Sequence, residues 1–398
     1  MRNWIWKMLR SGRAGRLRPV LALAILALCS GCWDQAELTE RGFVMGVALD
    51  ASQEGETELT AQIYKPSPSA EGRPNTSFVN ITTSEENLFD AVRDIPIQLG
   101  RMAQWSHMRV ILISDQYLEH HGILDAIDFF FRDHETRLTS IVLITEGKAG
   151  RFLEEKPLLE NTPSQQFREA QKTTSEISGK SISTNFWKLL VQLRSETGVA
   201  VIPNLLMGEH GRNNAAASGV VVVNGERVLA RLGARETEAL AMLRNRYKNG
   251  VINIACLESA EEEKTAKDIL EVFQVDTKIR VEPSEAKVKF YVHVDVNGAI
   301  GELQCSDVRE PDQEKEFAAR AERTLERALS ETISRLQKHK ADALNIGNMI
   351  YADHPRLWKK MKEDWGERFA QAEAHVSVDV RINSTGMVTG KSTKMRSR

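Results

Sequence analysis

Cys32 offers the clearest chemistry near the start of this sequence, because the small residues Ser30 and Gly31 stand immediately before it. Small side chains there suit a signal peptidase pocket, and a thiol so placed accepts a thioether-linked diacylglyceryl group before cleavage between Gly31 and Cys32. Upstream, Arg2, Lys7, Arg10, Arg13, Arg16 and Arg18 precede an apolar run at 20–28 with no acidic residue among them. A basic region, a short apolar core and small residues are the plan of a secretory signal over 1–31. About nine to eleven apolar residues rise only ~16 Å as a helix, whereas a bilayer core takes roughly 20 residues. A permanent span is therefore not expected. Cys29 occupies the place where a lipobox ordinarily has leucine, and Leu28 before it is too large for Cys29 to be the cleavage site. The expectation is lipid on Cys32 and a chain held firmly at the outer face of a membrane, since two or three acyl chains hold far better than one.

Elsewhere the chemistry thins out. Asp133-His134-Glu135 is the densest titratable cluster, but a metalloprotease helix would need a second histidine where Leu138 stands, so a solvated helix end is expected. Ser178-Gly179-Lys180-Ser181 resembles the end of a phosphate-binding loop, yet Thr174 replaces its first glycine. Gly208-Glu209-His210-Gly211 reads as a loop, and His107-Met108-Arg109 as an edge cap or pair before a buried strand. Trp358 and Trp365, seven residues apart, fall on one helical face and are expected in a core. The sequence holds four cysteines. Cys256 and Cys305 sit in strand-like apolar contexts; one disulfide is open to them outside the cell, and two small buried thiols are the plainer expectation. No catalytic constellation, cofactor fingerprint or metal-ligand set is expected, and so no enzyme.

The 398 residues suffice for two or three domains. Of 53 Lys and Arg, the six named above lie in the leader, against 55 Asp and Glu in the whole chain. The chain beyond Cys32 is thus mildly acidic and has no electrostatic case for nucleic acid.

The elements that must position these residues read as α+β: three mixed α/β domains, each a mostly antiparallel or mixed sheet packed with helices. After the leader at 1–31, the first unit, 32–184, has strands at 43–49, 59–64 and 78–82, and a Thr83 to Glu86 capping box opening a helix. Apolar strands at 108–113 and 140–145 flank an amphipathic helix containing Leu118, Ile123 and Phe131. An exposed polar connection at 161–183, with room for one short helix, ends this unit. A small middle unit, 185–262, has a hairpin turning at Asn224-Gly225, a helix at 234–247 and a strand at 251–257. The last, 263–398, has alternating strands at 278–281 and 288–296, a long helix at 314–339 and a closing strand at 374–382. In that helix Ala318, Ala321, Leu325, Ala328, Leu329, Ile333 and Leu336 form one apolar stripe.

Taken together these residues resemble a known family. Gly31-Cys32-Trp33-Asp34 with Glu37-Leu38, the strand from Val44 to Asp50, and Phe130-Phe131-Arg132-Asp133 are similar to Ger(x)C family spore germination lipoproteins. So are the 223–233 hairpin, Asp342, Asn345-Ile346-Gly347, Pro355, Trp358, Trp365 and Gly386. These lipoproteins are the C subunits of GerA-type nutrient germinant receptors. The resemblance implies three α/β domains, lipid on Cys32, and residence on the outer surface of the spore inner membrane. It also implies assembly with A and B type integral membrane subunits and no catalytic role. Reading the residues alone leaves an extracytoplasmic solute-binding lipoprotein as the alternative; neither reading names the nutrient or the partner-contact surface.

Overall fold

The computed structural model describes residues 40–65, 77–208, 215–256 and 266–384. Contacts divide the chain into Met1–Gly42 and Phe43–Arg398, and the packing below belongs to the second unit. Its first sheet is mixed. Strands β1 (Arg41–Ala51), β2 (Thr57–Tyr64) and β3 (Phe78–Glu85) form an antiparallel meander, followed by helix α1 (Leu88–Leu99) and the short β4 (Met102–Gln104). Next come β5 (Val110–Ser114), α2 (Asp115–Arg132), β6 (Ile141–Thr145), α3 (Ala149–Glu154), α4 (Pro163–Ile177) and α5 (Phe186–Leu193). Strands β7 (Ala200–Leu206), β8 (Ala216–Val223) and β9 (Val228–Leu232) complete the sheet in the order β3-β2-β1-β5-β6-β7-β8-β9, with β4 paired to β1.

The centre of this sheet is parallel, β1 to β5 to β6 to β7, and both β5 and β6 are buried at every residue. Helices on both faces explain that. Ile111, Ile113, Val142 and Ile144 pack under α1, α2 and α5, while Val110, Leu112, Ile141 and Leu143 pack under α3 and α4. Alternate residues of a strand point to opposite faces, so a strand covered twice must be apolar throughout.

Helix α6 (Ala234–Leu243) leads into the second sheet, made by β10 (Gly250–Ala255), β11 (Lys267–Pro283), β12 (Val288–Glu302) and β13 (Glu373–Ser384). Helix α7 (Pro311–Lys338) lies against it and is followed by α8 (Ile346–Asp353), α9 (Pro355–Met361) and α10 (Trp365–Ala370). The stripe expected of α7 is buried at Ala321, Leu325, Leu329, Ile333 and Leu336, with Phe317 added at its start. Glu322 and Glu326 of α7 accept the Val380 and Val378 N–H groups (3.0 and 3.3 Å) from the unpaired edge of β13. One apolar core runs from Val201, Val220 and Val222 of the first sheet through α6 to Phe290, Val292 and Val294 of the second.

The α+β class holds, and several finer expectations are corrected. The middle unit at 185–262 is divided between the two sheets: β8 is buried on both faces and so continues the first sheet, whereas β10 pairs with β11. The connection at 161–183 is not an exposed linker but largely α4, a packed helix that buries Pro163, Ser164, Phe167 and Gln171. Ser164 donates from both N and Oγ to the buried Gln62 Oε1 (3.1 and 2.7 Å). The helix approaches so closely that a Cβ on Gly46 would lie 2.3 Å from Ser164 Oγ. Thr83 stays in β3, which pairs with β2 as far as Glu85, and Asn87 caps α1 by accepting the Asp90 N–H (3.0 Å). The hairpin at 223–233 forms, but Asn224 Oδ1 holds its turn by accepting the Glu226 and Arg227 N–H groups.

Cys256 and Cys305 form a disulfide, Cα atoms 6.0 Å apart, instead of the two thiols expected. The reason is topological. β10 and β12 flank β11, and Ala255 and Glu302 pair with its first residues, Lys267 and Ile269, so the chain just beyond each emerges at the same end of the sheet. Beside the bridge, buried Asp268 accepts the N–H groups of Gln304, Cys305 and Ser306 and pairs with Arg320 Nη2 at 2.6 Å. Burial alone raises the Asp268 carboxyl, and the Ser306 hydroxyl, Arg320 and the backbone donors outweigh it, leaving the group below its ordinary value.

This packing has two testable outcomes. The bridge closes a loop with a sequence separation of 49; replacing both cysteines with serine is expected to lower unfolding free energy by about 2–4 kcal/mol in urea titrations. Glu238 of α6 is pushed up to about 7 by burial, against the opposing charges of Lys180 and Arg235. A carboxyl raised in the folded state contributes stability below its unfolded pKa that is lost as pH rises through about 7. Glu238→Gln is therefore expected to match the parent below pH ~4 and to exceed it by about 2–3 kcal/mol at pH ~8, read as denaturation curves at both pH values.

Candidate functional site

Three polar donors converge on one buried carboxylate where the two sheets meet. Asp342, 1% exposed, follows α7. Its Oδ1 accepts the Ile346 N–H (3.0 Å), and its Oδ2 accepts the Gly347 N–H (2.8 Å) and Trp365 Nε1–H (3.0 Å). Two of these are the first N–H groups of α8, which lack partners within any helix. The turn that brings them round carries Asn345 in the left-handed region (φ 65°, ψ 28°), a conformation asparagine tolerates better than most residues. Burial raises the Asp342 carboxyl above its ordinary value, and its three donors and the nearby Arg244 charge offset that rise only in part.

From this anchor α8 and α9 grip the loop that follows α5. Asn348 Oδ1 accepts the Thr197 N–H (3.3 Å), and Asn348 Nδ2 donates to Thr197 Oγ1 (3.1 Å) and Ser195 Oγ (3.3 Å). Trp358 Nε1 donates to Glu196 Oε2 (2.8 Å), and the Trp358 and Trp365 rings meet edge to face at 5.3 Å. Gly347 sits in the middle: a Cβ there would lie 2.6 Å from Thr197 Cγ2 and 2.8 Å from each indole. Arg244, just after α6, closes the far side by donating to Ala343 O (2.9 Å) and Gln192 Oε1 (3.1 Å). Burial and the like charge of Arg246 lower the Arg244 guanidinium to about 10. The arrangement is a clasp: residues 342–365, directly and through Arg244, hold residues 192–197 by part-buried hydrogen bonds and two tryptophans.

The positions singled out in the sequence separate accordingly. Trp358 and Trp365 lie in the core as expected, 1% and 6% exposed. Asp342, Asn345, Gly347, Trp358 and Trp365, apart by as many as 23 residues, come together in the clasp. Asp133 ends α2, His134 is exposed to solvent, and Glu135 accepts the Trp105 N–H. His107 stacks edge-on against Phe43, and the Arg109 N–H pairs with Met45 O (2.7 Å). Ser178 to Ser181 follows the end of a helix, not a strand. Gly31, Cys32 and 209–211 lie outside the described residues. Glu196, Asn348, Gln192 and Arg244 were not legible as functional; only their pairing across some 50 to 160 positions gives them meaning.

Fold and clasp together define an α+β protein whose two unequal sheets are locked by a shared polar junction. The family model for the spore germination protein N-terminal domain matches residues 34–207, and that for the spore germination B3/GerAC-like C-terminal domain matches 218–386. The chain therefore belongs to the GerC-type spore germination proteins. It is 24% identical to spore germination protein B3 of Bacillus subtilis (strain 168) over 93% of this chain and 97% of that protein. It is likewise 24% identical to spore germination protein KC of the same organism, over 93% and 96%. The crystal structure of the GerBC protein shares the fold, with a TM-score of 0.56 at 19% identity, covering 88% of this chain and all of that one. The clasp bridges the segments matched by the two family models, with Glu196 and Thr197 in one and Asn348 and Trp358 in the other.

Gly347→Ala forces either Thr197 or an indole to move and is expected to cost about 1–3 kcal/mol. Thr197→Ser, which removes the Cγ2 methyl while keeping the hydroxyl, should recover part of that loss in the double variant; thermal unfolding of the single and double variants checks both.

Proposed function

We propose that this chain is a lipid-anchored C-type subunit of a spore germinant receptor, acting through contacts with A and B type integral membrane subunits in nutrient-triggered germination. The observation that carries the reading is the match to the two GerAC-type segments, which together run from 34 to 386 and begin just past Cys32. In this reading signal cleavage falls between Gly31 and Cys32, and lipid on Cys32 holds the folded part at the outer face of the spore inner membrane. Among the described residues no helix is long and apolar enough to cross a membrane; in this reading attachment rests on the lipid.

A tether confines the protein within a short linker of the bilayer, where a raised effective concentration lets modest contacts suffice. The role is non-catalytic: the chain contributes surfaces whose arrangement the clasp fixes. The Cys256–Cys305 disulfide suits a place outside the reducing cytoplasm.

Cys32→Ala, expressed as the sole copy in spores, is expected to leave the membrane fraction depleted of the protein and the nutrient response lost or strongly slowed. Fractionation and optical density after nutrient addition check this; normal retention with a normal response would overturn the anchoring claim.

A further inference from the structure

A groove of about 580 Å³ opens beside the clasp, between α4, α5 and the segment after α6. Five cations line it: Lys172, Lys188, Arg244, Arg246 and Lys248. Its acidic lining residue is Glu176, already paired with Lys248 at 3.3 Å. Among the described residues no carboxylate lies within ion-pair distance of Lys172, Lys188 or Arg246. Such crowding is unexpected in a chain with a net charge of −2, because like charges across a narrow space repel unless something neutralises them. Burial, Arg246 and Lys248 together lower the Lys188 ammonium, so the repulsion is felt at that atom.

The walls contain more than charge. Trp187, 54% exposed, and Val191 form an apolar rim on α5, and Ser183 also lines the groove. A volume of this size falls within the range of small-ligand sites, roughly 300–1,000 Å³. Several convergent cations outnumber what one carboxylate needs and match a phosphate group, whose several oxygens accept from guanidinium and ammonium groups together.

We propose that this groove binds a phosphate-bearing group, carried either by a small solute or by an anionic lipid headgroup, with Trp187 against the uncharged remainder. Binding there draws on both halves of the molecule, since Lys172 and Lys188 come from the first-sheet side and Arg244 and Asn345 belong to the clasp. A bound phosphate would therefore tighten the junction. Binding in the groove does not depend on lipid at Cys32.

The test follows acetylation of individual lysines by mass spectrometry, using the full chain in neutral detergent micelles. Lys315, an exposed residue of α7 whose side chain is 78% accessible, serves as the internal reference. Inorganic phosphate is added at constant ionic strength, with acetate and chloride as comparison anions; in a second arm the micelles carry phosphatidylglycerol in place of phosphatidylcholine. Protection of Lys188 and Lys172 by about tenfold relative to Lys315, by phosphate but not acetate, supports a soluble phosphate ligand. Protection by phosphatidylglycerol alone supports the headgroup source. No protection in either arm, or equal protection by acetate, overturns the proposal. So does protection that persists in Arg246→Glu, a variant at an exposed position whose folding is checked by an unchanged melting temperature. If that variant unfolds, Lys188→Gln replaces it, with Lys172 acetylation as the readout and the same outcomes.

Discussion

The relative placement of the two sheets depends on satisfying a single carboxylate. Asp342 is buried, and an ionised carboxyl without partners in such a place is too costly to persist. Its donors are the N–H groups of Ile346 and Gly347 and the Trp365 indole, so the chain must fold back sharply at Asn345 for the carboxyl oxygens to be satisfied. Once it does, α8 begins at a fixed point. Gly347 then meets Thr197 face on, and Asn348 and Trp358 reach the loop at 195–197. A local hydrogen-bond requirement thereby becomes a long-range constraint, linking positions some 150 residues apart.

That constraint acts on a continuous core. Val201, Val220 and Val222 of the first sheet share one apolar cluster with α6 and with the inner face of β12. Close-packed interiors transmit displacement instead of absorbing it. A force applied to either sheet is thus delivered to the other through α6 and the clasp. Coupling of this kind allows an event at one surface to alter the presentation of another.

How far the sequence revealed this depends on whether each signal was local. The stripe of α7, the apolar β5 and β6, and the hairpin at Asn224 are periodic or turn-coded over a few residues, and all were legible. β7 was not, because Pro203 within it argues against an inner strand; the structure accommodates it with a register shift between Pro203 and Leu205. α4 escaped because its buried face is made of Ser164 and Gln171 beside Phe167, small or polar groups that read as solvent-facing until Gln62 and Gly46 are seen beneath them. The disulfide escaped because strand order, not spacing, brings Cys256 to Cys305. Within the clasp, Asp342, Gly347 and the tryptophans were legible by resemblance, but their partners on the far side lie in a loop with no sequence signal of its own.

The two glutamates that α7 lends to β13 also decide how the second sheet can grow. An edge strand with free N–H groups is a template for any extended chain, and Glu322 and Glu326 occupy two of those groups on β13. Augmentation by a neighbouring strand is disfavoured there. The opposite border, β10, lies beside the disulfide and has Val251 and Asn253 turned outward. The sheet is therefore polarised: two main-chain donors of one border are taken by its own helix, whereas among the described residues no side chain occupies the main-chain groups of β10.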